Sequence, residues 1–275
     1  MTTGSAEVRH QGRPGQQLLH HEVSGPADGP PLVLGPSLGT STTLWAHQVP
    51  DLARDFRTIS YDLPGHGGSA TGLLPYTKTG GTTVADLAAL VLSLADHLGL
   101  DRFHYAGISL GGAVGAHLAA HHPARIASLA LVCSSAHFGP PGPWHDRARL
   151  VRDQGMAPLL ASSPGRWFGD ESFAATETGR RLLDALAATD PAGYAACCDA
   201  LATYDLRDRL GDISAPTLVV GGSQDVATPL PHARELSAGV PRGRLEVLEC
   251  GHLAAETGAP LLEALRGHLS RIPAR

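Results

Sequence analysis

The amino-acid sequence predicts an α/β fold with a mostly parallel central sheet flanked by helices. Short apolar runs alternate along the chain with amphipathic stretches of helical spacing, which is the pattern of repeated strand–helix units. A compact apolar run such as Pro-Leu-Val-Leu-Gly at 31–35 is typical of a strand buried on both faces. The predicted strands are residues 18–23, 31–35, 57–61, 103–106, 126–132, 217–221 and 245–248.

The helices are predicted from the spacing of apolar residues and from the signals at their ends. Residues 84–98 show the clearest amphipathic pattern, and Gly99 follows them as a helix stop signal. Further helices are predicted at 44–56, at 229–238 and at 259–269.

One long stretch interrupts the alternation of strands and helices. Residues 137–205 contain no good strand, only helical segments separated by Gly-Pro-rich joints. An all-helical insertion between two strand–helix units would lie over the carboxyl ends of the strands. We therefore predict a core of residues 1–136 and 206–275, with residues 137–205 as a helical cap.

Composition excludes several classes of protein. The 275 residues are 43% hydrophobic and 17% charged with a net charge of -5, and no basic run suggests a nucleic-acid partner. Residues 1–17 lack the apolar stretch of a signal peptide, and no apolar run reaches membrane-spanning length. We expect a cytoplasmic protein without a membrane segment. Monomeric and homo-oligomeric states both stay open.

The cysteines give no sign of a metal site or of a disulfide framework. No pair has Cys-x-x-Cys spacing, and reduced thiols are the expectation for a cytoplasmic chain. We predict no metal and no cofactor. The cysteines are Cys133, Cys197, Cys198 and Cys250.

The strongest motif is Gly-Ile-Ser-Leu-Gly at 107–111. It follows a predicted strand and precedes a helix rich in small residues, the context of a nucleophile elbow. In such a turn the glycines leave room for close packing, and Ser109 is held in an exposed, strained position. Gly-x-Ser-x-Gly alone is a weak signal, but the flanking strand and helix make Ser109 the predicted nucleophile.

A serine nucleophile needs a base, and the base needs an orienting acid. Asp225 follows the predicted strand 217–221, and His252 follows the strand 245–248. Taken singly, an aspartate after a strand is often a turn former, and histidine is common here, with fifteen in the chain. The order Ser, Asp, His, with each residue after a strand, favours a catalytic triad. His252 would be the general base and Asp225 the residue that orients it.

Two further segments bear on the predicted site. Acyl transfer needs hydrogen-bond donors for the oxyanion, and we assign the backbone N–H groups of Leu38, in Gly-Pro-Ser-Leu-Gly-Thr at 35–40, and of Leu110. The segment Asp-Leu-Pro-Gly-His-Gly-Gly-Ser at 62–69 also contains an acid and a histidine. Its density of Gly and Pro predicts a shaped turn in which His66 is structural.

These motifs together resemble the α/β-hydrolase family and, within it, the 3-oxoadipate enol-lactonases. The resemblance covers nearly the whole chain from residue 18, and the Ser-Leu-Gly-Thr loop at 37–40 is its narrower part. It implies an α/β-hydrolase fold with the helical cap inserted after the sixth strand. The chain departs from the family pattern after the predicted catalytic histidine. It reads Leu-Ala-Ala-Glu-Thr at 253–257, where the resemblance implies Ser-Asn or Ala-Asn before the acid.

The cap carries the rest of the resemblance. Trp144-x-x-Arg147, Arg166-Trp167-Phe168 and the Pro-x-Gly-Tyr segment at 191–194 look like the cap of these lactonases. From the residues alone, a solvated helix face is the favoured interpretation of Arg147, Arg149 and Arg152. The resemblance implies that Arg147 binds a substrate carboxylate, since a guanidinium fits a carboxylate in fork geometry, and that Trp144 lines the pocket.

The implied activity is opening of 3-oxoadipate enol-lactone, a small lactone that bears a carboxylate, in the β-ketoadipate pathway of aromatic catabolism. A serine hydrolase acting through an acyl-enzyme is the predicted mechanism. Three alternatives keep the triad: a general esterase, another lactonase or a perhydrolase. A fourth, from another class, is a ligand receptor built on the same fold.

Overall fold

The computed structural model describes residues 17–74 and 81–272, and within them seven strands form one sheet. The strand order is β1-β3-β2-β4-β5-β6-β7; β1 is antiparallel to β3 and every other pair is parallel. The predicted α/β class is confirmed. Residues 1–16, part of the polar start of the chain, lie outside the described residues. The strands are β1 His21–Ser24, β2 Pro31–Gly35, β3 Arg57–Tyr61, β4 Phe103–Ile108, β5 Ile126–Val132, β6 Thr217–Gly222 and β7 Gly243–Leu248.

The α-helices of the described residues connect and flank these strands. Capping fixes the start of α2, where the Thr83 side chain accepts from the Asp86 N–H and the Asp86 side chain accepts from the Thr83 N–H. The helices are α1 Val49–Leu52, α2 Val84–His97, α3 Leu110–His121, α4 Pro141–Gln154, α5 Ala157–Trp167, α6 Glu177–Ala188, α7 Pro191–Ala202, α8 Leu230–Gly239 and α9 Ala259–Leu269.

The continuous helix predicted at 44–56 is wrong. The structure has a 3₁₀ turn at Thr42–Trp45 and then the one-turn helix α1 at Val49–Leu52. Pro50 explains the break, because proline lacks the N–H that a helix interior needs and is tolerated in the first turn of a helix, where it stands in α1.

The insertion between β5 and β6 consists of α4, α5, α6 and α7 with one 3₁₀ turn, Glu171–Ala175, and no strand among its residues. Among the described residues it follows the fifth strand, β5. Residues 1–16 lie outside the described residues, so the expected position after the sixth strand stays a prediction. Because it leaves the sheet at the carboxyl end of β5, it lies on the same edge as the loops after β2, β4, β6 and β7.

Two tyrosines fix the centre of the sheet beneath this edge. Tyr61 of β3 and Tyr105 of β4 are 1% exposed, and their hydroxyl oxygens lie 2.7 Å apart. The Tyr105 hydroxyl also donates to the Gly111 carbonyl at 2.9 Å. A buried hydroxyl needs such a partner, so this contact ties the first turn of α3 to the sheet.

Candidate active site

Ser109 stands on a strained turn between β4 and α3. Its backbone φ of 55° and ψ of -115° are rarely adopted by a residue with a side chain, and such strain costs about 1–3 kcal/mol. The turn is compact because Gly107 and Gly111 lack side chains. A Cβ on Gly107 would lie 2.3 Å from the Gly111 carbonyl group, and one on Gly111 would lie 2.6 Å from the carbonyl group of Gly35.

Hydrogen bonds to the neighbouring strand hold this turn in place. The Ser109 N–H donates to the Val132 carbonyl at 2.9 Å, and the Ser134 hydroxyl donates to the Ser109 carbonyl at 2.8 Å. Both partners come from the end of β5 and the residues after it. The surrounding structure thus fixes the strained backbone, as expected where strain serves a site.

The structure brings His252 and Asp225 together as the sequence predicts. His252 Nδ1 lies 2.9 Å from Oδ2 and 3.1 Å from Oδ1 of Asp225, and both side chains are buried. The Asp225 carboxylate also accepts from the N–H groups of Ala227 and Thr228 and from the Thr228 hydroxyl. The orienting carboxylate is therefore itself held by several donors.

These contacts decide the charge of Asp225. Burial acts to raise its pKa, but the charge of His252, the hydrogen bond from His252 and those from Thr228 outweigh it and lower the pKa to about 2. The carboxylate is ionised at every pH near neutrality. A permanently charged acceptor fixes the proton of His252 on Nδ1 and leaves Nε2 free to accept a proton.

The two predicted oxyanion donors lie in suitable local structures. Leu110 is the first residue of α3, where backbone N–H groups have no partner inside the helix. Leu38 is the second residue of a tight turn closed by the Thr40 N–H donating to the Ser37 carbonyl, with Gly39 at a φ of 82°. Such a turn leaves the N–H of its second residue unused by the turn itself.

Ser109, His252 and Leu38 line one cavity. The cap closes its other side. No aspartate or glutamate of the described residues lines it, which leaves its charge to two guanidinium groups and the histidine. The cap residues in the lining are Phe138, Trp144, Arg147, Arg166, Trp167, Tyr194 and Leu201.

The three arginines of α4 have three different environments. Arg147 lines the cavity, where its Nη1 donates to the Tyr194 hydroxyl at 3.3 Å and its guanidinium lies 5.7 Å from the centre of the Trp144 ring. Arg149 is exposed and pairs with Asp146. Arg152 binds the fully buried Asp199. The solvated-face interpretation holds for Arg149 and fails for Arg147.

His66 lies outside the cavity lining, as expected for a structural residue. It is fully buried, its Nδ1 lies 3.0 Å from the Pro64 carbonyl, and its ring stacks on Tyr194 with centres 6.2 Å apart. Burial lowers its pKa to about 4, so the imidazole is neutral. It supports the tyrosine that contacts Arg147.

Comparison with known proteins identifies the family. Residues 30–161 match the sequence pattern of the alpha/beta hydrolase fold. The 3-oxoadipate enol-lactonase 2 of Acinetobacter baylyi is 35% identical over 86% of this chain and 86% of its own length. The chain belongs to the α/β-hydrolase family. It is a hydrolase, and its resemblance to the enol-lactonases is confirmed.

Two further proteins are similar to this hydrolase over nearly their whole length. The crystal structure of the enol-lactonase from Burkholderia xenovorans LB400 superposes with a TM-score of 0.86 at 33% identity, covering 92% of this chain and 96% of that one. RutD of Variovorax paradoxus, provisionally described as a carbamate hydrolase, is 32% identical over 93% of this chain and 97% of its own.

Sequence reasoning missed several cavity residues of this hydrolase, and Arg166 and Thr228 are two of them. Arg166 of α5 lines the cavity beside Arg147, and Thr228 both lines it and donates to Asp225. The motif Arg-Trp-Phe at 166–168 indicated that this segment belongs to the cap, but it did not predict that the Arg166 side chain lines the cavity. Thr228 stands three residues after Asp225, a spacing typical of a side chain that returns to the same turn.

In the part of the chain that the structure describes, no group of three or more His, Cys, Asp or Glu side chains gathers in a way that suits a metal ion. None of the helices found in those residues has both the length and the apolar character of a membrane span. The four cysteines are buried and free.

Proposed function

We propose that this hydrolase opens 3-oxoadipate enol-lactone to 3-oxoadipate, with Ser109 as nucleophile, His252 as general base and Asp225 as its orienting acid. The observation that carries the proposal is the shared cavity of Ser109 and His252, with His252 Nδ1 on an ionised Asp225. The similarity to two enol-lactonases supports the substrate.

In the first half of the reaction, His252 Nε2 takes the proton of the Ser109 hydroxyl as Oγ attacks the lactone carbonyl carbon. The N–H groups of Leu38 and Leu110 bind the oxyanion, and this kind of stabilisation is worth about 3–4 kcal/mol per donor. Collapse of the tetrahedral intermediate breaks the ring C–O bond. The leaving enolate takes the proton from His252 and tautomerises to the ketone, which makes ring opening hard to reverse.

In the second half, water attacks the acyl-enzyme ester. His252 takes a proton from the water and returns it to Ser109 Oγ as the C–O bond to the serine breaks. The product leaves as a dicarboxylate. No redox partner or cofactor enters this scheme, since every proton and bond is balanced by the enzyme, the lactone and water.

The cap residues give the substrate its orientation in this proposal. Arg147 binds the carboxylate of the lactone, and Tyr194 holds the guanidinium through its hydroxyl at 3.3 Å. Trp144 packs against the same guanidinium and forms part of the wall. Oriented binding of this kind brings the ring carbonyl to Ser109 rather than leaving it to diffuse within the cavity.

Carbamate hydrolysis is the second candidate, favoured by the RutD relatives, whose alignments cover almost the whole chain. The same triad would attack a carbamate carbonyl. The two activities differ in the leaving group: the lactone gives an enolate, and a carbamate gives an amine or ammonia. Release of ammonia therefore separates them.

The decisive experiment measures turnover on freshly generated enol-lactone beside a short-chain aryl ester and a carbamate. We expect kcat/KM for the lactone to exceed that for either comparison substrate by at least a hundredfold. Faster ester cleavage would assign the chain to the esterases, and ammonia release would favour the carbamate. Very slow turnover on all three would favour a ligand receptor.

The mechanism has its own test in Ser109→Ala. This variant should fold as the wild type does, because alanine adds no atoms, and should lose turnover by at least a thousandfold on every ester or lactone substrate. Retained activity would overturn the assignment of Ser109.

A further inference from the structure

We infer that Arg147 and Arg166 together form a carboxylate-binding site in the cavity, and that Arg166 is a specificity-determining residue for an anionic substrate. This inference rests on the proposed hydrolytic function of the site and names its substrate class: esters or lactones whose acyl part ends in a carboxylate. The two arginines come from different cap helices, α4 and α5, and line the same cavity.

The first observation is that the two guanidinium groups influence each other. The pKa of Arg166 is lowered, first by burial and next by the positive charge of Arg147. Tyr194 links them further, since its hydroxyl accepts from Arg147 and its ring lies in the same lining. Two like charges in a partly buried space repel each other, so holding them there costs free energy.

The second observation is that no carboxylate of the described residues pairs with either guanidinium group in the cavity. Neither Arg147 nor Arg166 forms an ion pair with a carboxylate of the described residues, while Arg149 and Arg152 on the same helix as Arg147 both do. Asp225 is the acid whose charge reaches Arg166, yet its oxygens are occupied by His252, Ala227 and Thr228. Two guanidinium groups in one cavity, neither of them in an ion pair, match a ligand that carries a carboxylate.

The chemistry of the pair favours a carboxylate over other polar groups. Each guanidinium offers parallel N–H donors that match the two oxygens of a carboxylate, and two of them neutralise the charge more completely than one. Neutral esters gain nothing from these donors and leave them without partners in the cavity, which costs affinity. Discrimination between anionic and neutral acyl groups should follow.

The test compares two esters of the same acyl chain length, mono-4-nitrophenyl glutarate and 4-nitrophenyl pentanoate. For the wild type we expect kcat/KM for the glutarate to exceed that for the pentanoate. Arg166→Gln should lower this ratio at least tenfold, mainly through KM, and Arg166→Lys should restore part of it because the charge is kept. Glutarate as a competitive inhibitor of pentanoate cleavage should lose affinity by a similar factor.

Arg149→Gln is the matched control, because Arg149 is an exposed arginine of the cap and should leave the ratio unchanged. If Arg166→Gln lowers turnover of both esters equally, or if the lysine variant behaves like the glutamine variant in KM and in glutarate inhibition, the inference is wrong. An intact preference for the glutarate ester without turnover of the enol-lactone would overturn the proposed substrate and leave the carboxylate site standing.

Discussion

The Gly251 N–H donates to Oε1 of Glu256 at 3.3 Å, and this contact lies within the loop that carries His252. The backbone of Gly169, just after α5, also bonds to the same carboxyl group. The Leu253 N–H donates to the Trp167 carbonyl at 3.0 Å, so cap and histidine loop are tied at two points. The other oxygen of Glu256 is buried without a hydrogen-bond partner.

Glu256 should make the stability of this hydrolase depend on pH. Burial raises its pKa from 4.5 to about 7, and Asp170 adds repulsion. Between these two values the unfolded chain releases the proton while the folded chain keeps it, so this group's contribution to the free energy of unfolding falls as pH rises and levels off above about 7. Allowing for solvent screening, the loss is about 1 kcal/mol.

Glu256→Gln measures the contribution of Glu256 to the pH dependence of stability, because glutamine stays neutral at every pH. The difference in melting temperature between variant and wild type should shift in favour of the variant between pH 5 and pH 8. Glu263→Gln, at an exposed position of α9, is the control and should show no such trend. A constant difference for Glu256→Gln across the range would contradict the raised pKa.

Asp225→Asn tests the role of the charge beside His252. Asparagine keeps the shape and can still accept from the Ala227 N–H, but it cannot hold the proton of His252 on Nδ1 or stabilise the charged imidazole. We expect kcat to fall by about 10³–10⁴-fold with a circular dichroism spectrum like that of the wild type. A loss below tenfold would mean that another group orients His252.

The parts of the fold that the sequence predicts are those set by local chemistry. The elbow at Ser109 follows from glycine spacing between a strand and a helix, and Asp225 and His252 follow from their positions after strands. The position of Arg166 in the cavity and the contact between Gly169 and Glu256 could not be predicted, because each depends on how the cap helices pack on loops distant in sequence. The segment Leu-Ala-Ala-Glu-Thr contains Glu256, but the sequence does not show which groups contact its carboxyl group.

Gly111→Ala tests the packing of the elbow. A Cβ there would lie 2.6 Å from the Gly35 carbonyl group and from the Pro36 carbonyl oxygen, which are backbone atoms that cannot move aside cheaply. We expect a loss of about 3 kcal/mol in the free energy of unfolding. Activity should fall as well, because Gly111 belongs to the turn that holds Ser109. Gly267→Ala in α9, where a Cβ meets nothing within 4 Å, should instead stabilise by about 0.5–1 kcal/mol.

These two glycine variants are compared by chemical denaturation under one set of conditions. Opposite signs of the change in unfolding free energy would support the close approach at the elbow. Equal stabilisation by the two substitutions would contradict the close approach and leave helix propensity as the only effect, since both positions are helical.

The ion pair inside the cap gives the last prediction. Arg152 Nη2 lies 2.5 Å from Oδ2 of Asp199, whose side chain is fully buried and whose other oxygen has no partner. Arg152→Ala leaves a buried carboxylate without a counter-charge, and we expect a loss of about 3 kcal/mol in the free energy of unfolding. Arg149→Ala, which breaks an exposed pair on the same helix, should cost less than about 0.5 kcal/mol.

The double variant Arg152→Met with Asp199→Leu separates the value of the pair from the cost of an unpaired charge. Because both partners become apolar, it should be more stable than Arg152→Ala, even though it lacks the ion pair. Thermal unfolding of the four proteins gives the comparison. If the double variant is the less stable of the two, the unpaired carboxylate of Asp199 is not the dominant cost in Arg152→Ala.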